Sequence, residues 1–279
     1  MKKRIVLCAD DYGQAPTISA AILDLVQKER LTAVSCMVNS PFWQEHAALL
    51  LPFRAKIDVG LHFNLTEGRP LSAAFRAKMG DTFPSLLHLM GKSWWRRLNQ
   101  AVIQAELRAQ LDAFVNAMGE LPDFLDGHQH VHQFPIIRAA LVAVYADYFK
   151  AKRPYVRLVA TACQGECPLE WLKQVIIRAT GTGAMRQLLV KHHIPHNTSF
   201  AGVYHFAKAA QYPRLFARFL RDIKEGGVIM CHPGYAGDEA DVIGRARVLE
   251  YQYLSGPDFH RALSAANVVF SRKSRMPPE

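Results

Sequence analysis

The sequence lacks the features that several common protein classes require. It has no apolar segment long enough to span a bilayer. The apolar run after the N-terminal MKKR, IVLCA, covers only five residues before two aspartates follow, which is too short for an export signal. The sequence also contains no Walker motif, no phosphate-cradling glycine-rich loop and no G-x-S-x-G elbow. We therefore expect a cytoplasmic protein whose chemistry is carried by other residues.

Cysteine is scarce, and its spacing does not form a disulfide framework. The chain has five cysteines. Cys8, Cys36 and Cys231 lie in apolar runs and are most simply buried thiols of a protein from a reducing compartment. Cys163 and Cys167 have C-x3-C spacing without a second cysteine pair, which is only a weak indication of zinc. Thiols in the core or in a loop are the simpler interpretation.

Basic residues exceed acidic ones, and the formal net charge is +10. This balance leaves an anionic partner or a membrane surface open, but the basic residues are scattered. There is no long basic stripe and no nucleic-acid-binding motif, so we expect no nucleic-acid partner. Residues 94–97 (WWRR) are compatible with a membrane-facing or sugar-stacking patch. The start of a helix with two packed aromatic side chains is the simpler interpretation.

Hydrophobic patterning predicts a parallel α/β fold. Short apolar runs at 4–9, 33–38 and 56–63 alternate with helices that start at Pro16 and after Pro41. This β-α-β-α-β order with short connections is typical of a parallel sheet with right-handed crossovers. Further along, the pattern predicts a helix over 103–118, a strand and its exit from residue 122, a helix over 135–149, the strands PYVRLV and GGVIMCHPGY, a helix near 215–223, and a final helix and strand.

Two stretches interrupt this regularity. Residues 66–100 and 160–200 mix glycine, proline and apolar positions without a clean period, and we interpret them as insertions, with one helix around residues 169–178. No repeat or low-complexity linker divides the chain. We therefore predict a single domain over residues 1–279, with a frayed tail at 271–279.

Polar side chains follow several of the apolar runs. Asp10 and Asp11 follow IVLCA, His62 follows IDVGL, a histidine triplet follows FLD, and His232 follows VIMC. In a parallel α/β sheet or barrel the carboxyl ends of the strands share one rim, where sites are built. Core packing explains any one of these clusters but not four of them, because buried Asp and His need partners.

The aspartate pair and the isolated histidines each have a simpler alternative. Adjacent strand residues point to opposite sides, so Asp10 and Asp11 are expected to differ in role, one as a metal ligand and the other orienting or deprotonating water. Alternatively the pair begins a turn or caps the helix at Pro16. His62 and His232 are candidate site imidazoles at the rim. The simpler interpretation of His62 is a hydrogen-bonded histidine at a strand end, and that of His232 is a residue in a structural turn.

The stretch FLDGHQHVHQFP carries the strongest signal. Asp126, His128, His130 and His132 share one parity, so in an extended strand all four side chains leave the same face. Alternate histidines form a sound chelate, whereas the alternative is a polar strand edge. Spacing alone favours His128 with His130. Near the end of the chain, RARVLEY most simply forms a solvated helix face, although Arg245, Arg247 and Glu250 are within reach of the rim.

Four motifs together resemble the YdjC-type carbohydrate deacetylases, which include chitooligosaccharide deacetylases and hopanoid-biosynthesis-associated proteins. They are ADDYG, GLHFNLTEGRPL, LDGHQHVH-x2-P, and CHPGY with a following Arg and Glu. They occur in the family's order from residue 9 to about residue 254. The departures are Tyr12, where Phe is commoner, and Gly127, where Ser often stands.

The resemblance implies an irregular (β/α)-barrel-like, TIM-barrel-like fold and hydrolysis of an N-acetyl group with one divalent metal ion, Mg or Zn. It implies Asp11, His62 and His128 as metal ligands. It also implies Asp10 as the base that activates water and His232 as the acid that protonates the leaving amine. The side chains expected to support these groups or to contact substrate are Asp126, His130, His132, Arg247 and Glu250.

The implied substrate is an N-acetylated sugar, oligosaccharide or glycolipid. A homodimer is compatible with the resemblance.

Two other functions compete with deacetylation. A metal-dependent phosphoesterase suits H-x-H clusters and a basic surface, but it would need more ligands and two or three metal ions. A non-enzymatic, metal-dependent sugar-binding protein could use the same fold.

Overall fold

The structure is a computed structural model of the chain, and it describes residues 2–150, 152–160, 181–237 and 241–275. The helix predicted around residues 169–178, together with Cys163 and Cys167, lies outside the described residues.

The strands follow one another along almost the whole chain. They are β1 (Lys3–Tyr12), β2 (Ala33–Cys36), β3 (Asp58–Phe63), β4 (Phe124–Gly127), β5 (Tyr155–Val156), β6 (Phe200–Ala201), β7 (Val228–Cys231) and β8 (Val268–Phe270). The helices between and after them are α1 (Pro16–Gln27), α2 (Trp43–Leu50), α3 (Ala73–Met79), α4 (Leu86–Trp94), α5 (Gln100–Met118), α6 (Ile137–Tyr148), α7 (Gly183–Lys191), α8 (Tyr212–Asp222), α9 (Gly244–Ser255) and α10 (Asp258–Ala265).

The strands form one parallel sheet in the order β5-β4-β3-β2-β1-β7-β6, and β8 pairs with the start of β1. The two outer strands come together as the sheet curls. Val156 N–H donates to the Pro195 carbonyl at 2.8 Å, and Phe200 N–H donates to the Ala160 carbonyl at 2.9 Å. This confirms the predicted α/β, barrel-like fold, in which the carboxyl ends of the strands share one rim.

Alternate strand residues fill the inside of the curled sheet, while the others pack against the helices. The inner side chains form their own apolar cluster: Val6, Cys8, Ala33, Phe124, Tyr155, Val159, Phe200, Val228 and Met230. Space is short at this level. A Cβ on Gly60 would lie 2.5 Å from the Phe124 ring, so β3 requires glycine here.

The amino ends of the strands are closed by the residues that follow β8. Asp58, at the start of β3, is fully buried and accepts from Arg272 Nε at 2.8 Å and from Ser274 N–H at 3.1 Å. The buried carboxylate thereby gains a cation and a backbone donor. The expectation of a frayed tail is wrong for residues 272–274, because Asp58 anchors them.

The first insertion is more regular than its sequence suggests. It contains α3 and α4, connected to the long helix α5. Each short helix buries very little: Phe75 in α3, and Leu89 and Ser93 in α4. One or two buried positions cannot establish a helical period, so the sequence of this segment shows no helical pattern. Within the described ranges, no helix combines the length and the apolar character needed to cross a membrane.

Candidate functional site

The end of β1 separates its two aspartates. Pairing with β2 is irregular between Ala9 and Tyr12, and Asp11 has a φ of 69°. This bulge turns the Asp11 carboxylate over the rim, while Asp10 stays inside the barrel next to Cys8. A non-glycine residue at positive φ is uncommon, and such conformations are enriched at functional sites. The two carboxylates consequently have different partners, as the alternation of the strand predicts.

His62, at the end of β3, is held by groups on the two neighbouring strands. Its Nδ1–H donates to Asp126 Oδ1 at 2.7 Å, and the same oxygen accepts from the Ser35 hydroxyl at 2.6 Å. All three side chains are buried. The hydrogen bond at Nδ1 directs Nε2 of His62 toward Asp11, with 3.3 Å between Nε2 and Asp11 Oδ1. Asp126 therefore orients an imidazole that faces the rim.

FLDGHQHVHQFP is extended only as far as Gly127, so its histidines do not alternate along a strand. The strand ladder ends at Gly127, which pairs with Phe63, and residues 128–133 form a tight helical turn. Gln129 and His130 have φ of 52° and 61°, so the alternation breaks and the three imidazoles diverge. A Cβ on Gly127 would lie 2.9 Å from His132 Nδ1, so the turn leaves little room for a larger residue here.

Asp11, His62 and His128 meet at the rim, and their donor atoms lie within 4.8 Å of one another. His128 Nδ1–H donates to Asp11 Oδ1 at 3.0 Å. Burial lowers the pKa of His128, but Asp11 outweighs it and the pKa rises to about 9. Burial also lowers the pKa of His62, but the nearby carboxylates of Asp126 and Asp10 outweigh this effect and raise the pKa to about 10. The cluster strongly favours positive charge next to the Asp11 carboxylate.

Glu67 belongs to this cluster, although we did not select it from the sequence. Its Oε1 accepts from His128 Nε2–H at 2.9 Å, and its Oε2 accepts from Gln14 at 2.6 Å. The loop that carries Glu67 is ordered from below by α5. There, buried Glu106 accepts from the backbone N–H groups of Leu71 and Ser72. A loop residue without a strand or helix period gives no sequence signal for such a contact.

Arg157 is the most consequential residue that the sequence interpretation missed. Its guanidinium is buried inside the barrel and donates to both carboxylate oxygens of Asp10, each at 2.6 Å. It also forms a 2.7 Å ion pair with Asp126 and donates to Cys8 Sγ at 3.0 Å. Burial raises the pKa of Asp10, but Arg157 outweighs it and holds the pKa below its ordinary value. Asp10 is thus a fixed, ionised carboxylate.

Arg247 and Glu250, both on α9, reach the rim and are buried. Arg247 Nη2 donates to Asp11 Oδ2 at 2.8 Å, and its Nε donates to Asp241 at 2.7 Å. Glu250 accepts from the Tyr204 hydroxyl and from the backbone N–H of His232, both at 2.6 Å. The interpretation of RARVLEY as a solvated face is therefore wrong for these two residues.

His232 follows β7, which pairs with β1 on the side away from β2 and β3. Its ring packs edge-to-face on Phe206, with 5.5 Å between centroids. Glu250 fixes the backbone at His232 and not its imidazole. The buried Nδ1 of His232 finds no hydrogen-bond partner among the residues that the structure describes. The imidazole is thus positioned by packing and by its backbone, and its Nδ1 is not engaged by any residue in the described ranges.

The other two histidines of the triplet lie away from Asp11. His130 packs edge-to-face on Phe200 with 5.6 Å between centroids. His132 is fully buried, and its Nε2–H donates to the Arg157 carbonyl at 2.8 Å. Burial lowers the pKa of both imidazoles, that of His132 to about 4. His132 therefore supports the backbone of the strand that carries Arg157.

The low pKa of His132 predicts a pH-dependent stability. The folded pKa of about 4 lies below the ordinary value near 6.5, so the unfolded chain binds more protons between these values. The stability is complete above pH ~6.5 and falls as the pH approaches 4, by about 3 kcal/mol. In urea unfolding between pH 7.5 and 4.5, His132→Gln should lose less stability than the wild type.

The exposed residue His88 offers the matched control for this experiment. His88→Gln should follow the wild-type dependence of the unfolding free energy on pH. If His132→Gln followed it as closely, the buried neutral imidazole would not be the cause of the acid sensitivity.

A cavity of about 650 Å³ lies beside the cluster, a size that suits a small-molecule site. Its lining includes Gln14 and Glu67, which touch the cluster, and Tyr235 and Asp241 from the segment between β7 and α9. The cavity thus gives a ligand access to the rim next to Asp11.

Known proteins resemble this chain over most of its length. The model of the family described as YdjC-like protein matches residues 4–265. A carbohydrate deacetylase of Mus musculus is 30% identical over 252 residues, which cover 83% of this chain and 78% of that protein. The match to a carbohydrate deacetylase of Danio rerio is 33% identical over 153 residues and spans about half of each protein, 53% of this chain and 48% of the other.

A solved structure with low sequence identity to this chain has a similar fold. A crystal structure of an Enterococcus faecalis protein, described as a proposed cellobiose-phosphate cleavage protein, superimposes with a TM-score of 0.74 at 17% identity. The superposition covers 98% of both chains, and at this identity it establishes the shared fold. Together with the family match, these findings show that the chain is a member of the YdjC-like protein family.

Proposed function

We propose that this protein is a metal-dependent carbohydrate deacetylase that removes an N-acetyl group from an amino sugar. The arrangement that carries the proposal is the cluster of Asp11, His62 and His128 beside the fixed carboxylate of Asp10. Family relatives with the name carbohydrate deacetylase support the same activity. The substrate class and the metal are part of the proposal.

The cluster suits a divalent cation. It offers one carboxylate and two imidazoles, a donor set that zinc and similar ions accept. Asp126 holds the Nδ1–H of His62, which leaves Nε2 free to bind a metal. A bound ion supplies Lewis acidity, since it polarises an acyl carbonyl and makes water a stronger nucleophile. Mg and Zn both remain compatible with these donors.

Two residues of the protein carry out the two proton transfers of amide hydrolysis. Asp10 stays ionised because Arg157 neutralises it, and it is within electrostatic reach of His62 and His232. Asp10 is thereby available to accept the proton of the attacking water. His232, whose Nδ1 has no hydrogen-bond partner among the described residues, returns a proton to the leaving amine. Each transfer typically contributes roughly 10²–10⁴-fold to the rate.

One further observation weighs against the phosphoesterase alternative. A second acidic group, Cys8, Asp10 and Asp126, also brings its donor atoms within 4.8 Å. The guanidinium of Arg157 contacts all three of these residues. The positive charge of Arg157 therefore already neutralises the carboxylates that a second metal ion would need as ligands. One metal per chain fits the deacetylase.

The proposed ligands can be tested by metal binding. Asp11→Ala, His62→Ala and His128→Ala should each reduce the bound metal per chain from about one to near zero after dialysis, because each removes one of three donors. His130→Ala is the matched control and should keep its metal. Metal content is measured by inductively coupled plasma mass spectrometry on folded protein. Full occupancy in all three ligand variants would refute the assignment.

The activity itself is tested by acetate release. The metal-loaded protein is incubated with a panel of N-acetylated oligosaccharides and glycolipids, and free acetate is measured enzymatically for each metal. Acetate is expected from at least one member, and none from the three ligand variants. A protein that binds metal and sugar but releases no acetate across the panel would instead be a sugar-binding protein.

A further inference from the structure

The end of α4 exposes large apolar side chains. Leu87 is 74% exposed, Trp94 49% and Trp95 78%. The sequence interpretation of residues 94–97 as a helix start with packed aromatics is therefore wrong, since the two tryptophans end the helix and face solvent. Exposed tryptophan is costly unless it serves an interaction, so this surface needs a partner.

Positive charge surrounds these tryptophans. Arg96 and Arg97 follow them directly and are both exposed, and Lys92 lies one turn earlier. The sequence from residue 82 to residue 105 contains no Asp or Glu. Within the described part of the chain, neither Arg96 nor Arg97 forms an ion pair with a carboxylate. We call Leu87, Trp94, Trp95, Arg96 and Arg97 the α4 surface.

The α4 surface is held in place from behind. Leu89 and Ser93 are fully buried, and the Ser93 hydroxyl donates to the Pro135 carbonyl. Arg96 has a φ of 53°, and Arg97 N–H donates to the Lys92 carbonyl at 2.8 Å. This turn fixes the direction in which the chain leaves the helix. The surface is therefore prepared before any partner binds, and binding orders little new structure.

The α4 surface lies at the same rim as the candidate site. Its anchor, Pro135, lies two residues after the turn of residues 128–133 that carries His128. The segment before α4 is joined to the loop of Glu67, since Phe83 N–H donates to the Gly68 carbonyl at 3.0 Å. Whatever binds the α4 surface thus lies next to the open end of the barrel.

We propose that the α4 surface docks this protein onto an anionic lipid bilayer. Exposed tryptophan prefers the level of lipid head groups, where its ring is apolar and its N–H stays hydrated. Arginines at the same level gain from the negative surface potential. An acidic protein face would satisfy the charges but would also have to supply an apolar recess for Leu87, Trp94 and Trp95. A bilayer surface offers both properties at once.

The experiment is vesicle co-sedimentation of the full chain. Vesicles of phosphatidylglycerol and phosphatidylcholine should bind the protein, whereas pure phosphatidylcholine should bind it at least about tenfold more weakly, and 0.5 M salt should reduce binding. Arg96→Gln with Arg97→Gln should weaken binding roughly 30-fold, since each charge contributes about fivefold. Trp94→Ser with Trp95→Ser should weaken binding at least about tenfold.

A matched control lies at the other end of the barrel. Val190 is 58% exposed and precedes the exposed Lys191 on α7. Val190→Ser with Lys191→Gln should keep wild-type binding. Circular dichroism of every variant should match the wild type, because all the changed side chains are exposed.

Two results would overturn the proposal. The first is equal binding of the wild type to anionic and neutral vesicles, or equal binding of the wild type and the α4-surface variants. The second comes from light scattering: if the tryptophan variant turns a dimer into a monomer while vesicle binding stays the same, the partner of this surface is a second copy of the chain. Neither result depends on the proposed deacetylase activity.

Discussion

Arg157→Met is expected to lower the free energy of unfolding by about 3–5 kcal/mol, the usual cost of removing one partner from a buried ion pair. The substitution keeps much of the side-chain volume but leaves the buried carboxylates of Asp10 and Asp126 without their cation. Urea unfolding followed by circular dichroism measures the change. Because Asp126 also holds His62 and Asp10 is the proposed base, turnover should fall together with stability.

The control for Arg157 is an arginine with a similar pair at the surface. Arg108 and Asp147 form a 2.8 Å ion pair, with 40% and 68% of their side chains exposed. Arg108→Met should change the unfolding free energy by less than about 1 kcal/mol. Adding Asp10→Asn to Arg157→Met should recover part of the loss, since it removes one unpaired charge. Equal stability of Arg157→Met and the wild type would show that the barrel tolerates the isolated carboxylates.

Asp10→Asn should reduce kcat by roughly 10²–10⁴-fold, because an amide cannot accept the proton of the attacking water. The metal content should stay at the wild-type level, since Asp10 is not among the proposed ligands. Some stability is also lost, because Arg157 keeps only Asp126 as an anionic partner. Acetate release at saturating substrate measures kcat, and the unfolding free energy is measured on the same preparation.

Asp58 is the matched control for Asp10, because it is a buried carboxylate at the opposite end of the same barrel. It pairs with Arg272 at 2.8 Å. Asp58→Asn should lower stability by a similar amount while leaving kcat within about twofold of the wild type. If both variants lost turnover equally, the effect of Asp10 would come from the fold and not from proton transfer.

The sequence predicts the parallel fold because its buried strands are short apolar runs with helices between them. The same logic locates Asp10, Asp11 and His62, which directly follow such runs. Periodicity says where a strand can exist but not where its ladder ends. The paired register stops at Gly127, and a positive φ at His130 then separates three histidines that alternate perfectly in the sequence. Such a turn depends on neighbours that a linear pattern does not contain.

Arg157 illustrates a second kind of limit. It shares its parity with Tyr155 and Val159, which line the inside of the barrel. That parity has meaning only once the sheet is known to close, because on an open sheet the same face could meet solvent or a helix. Glu67 and the short helices α3 and α4 are harder still. The Glu67 loop and the start of α3 are positioned by buried Glu106 and Gln110 of α5, which in the sequence look like ordinary polar residues of an amphipathic helix.

The guanidinium of Arg157 joins two groups that would otherwise be independent. Both Nη1 and Nη2 donate to Asp10, and Nη2 also contacts Asp126, which in turn orients His62. For protein design, this means that the histidines and aspartate at the rim are not a portable motif. Grafting Asp11, His62 and His128 onto another barrel would require the hidden layer beneath them as well, with an arginine and two carboxylates in register.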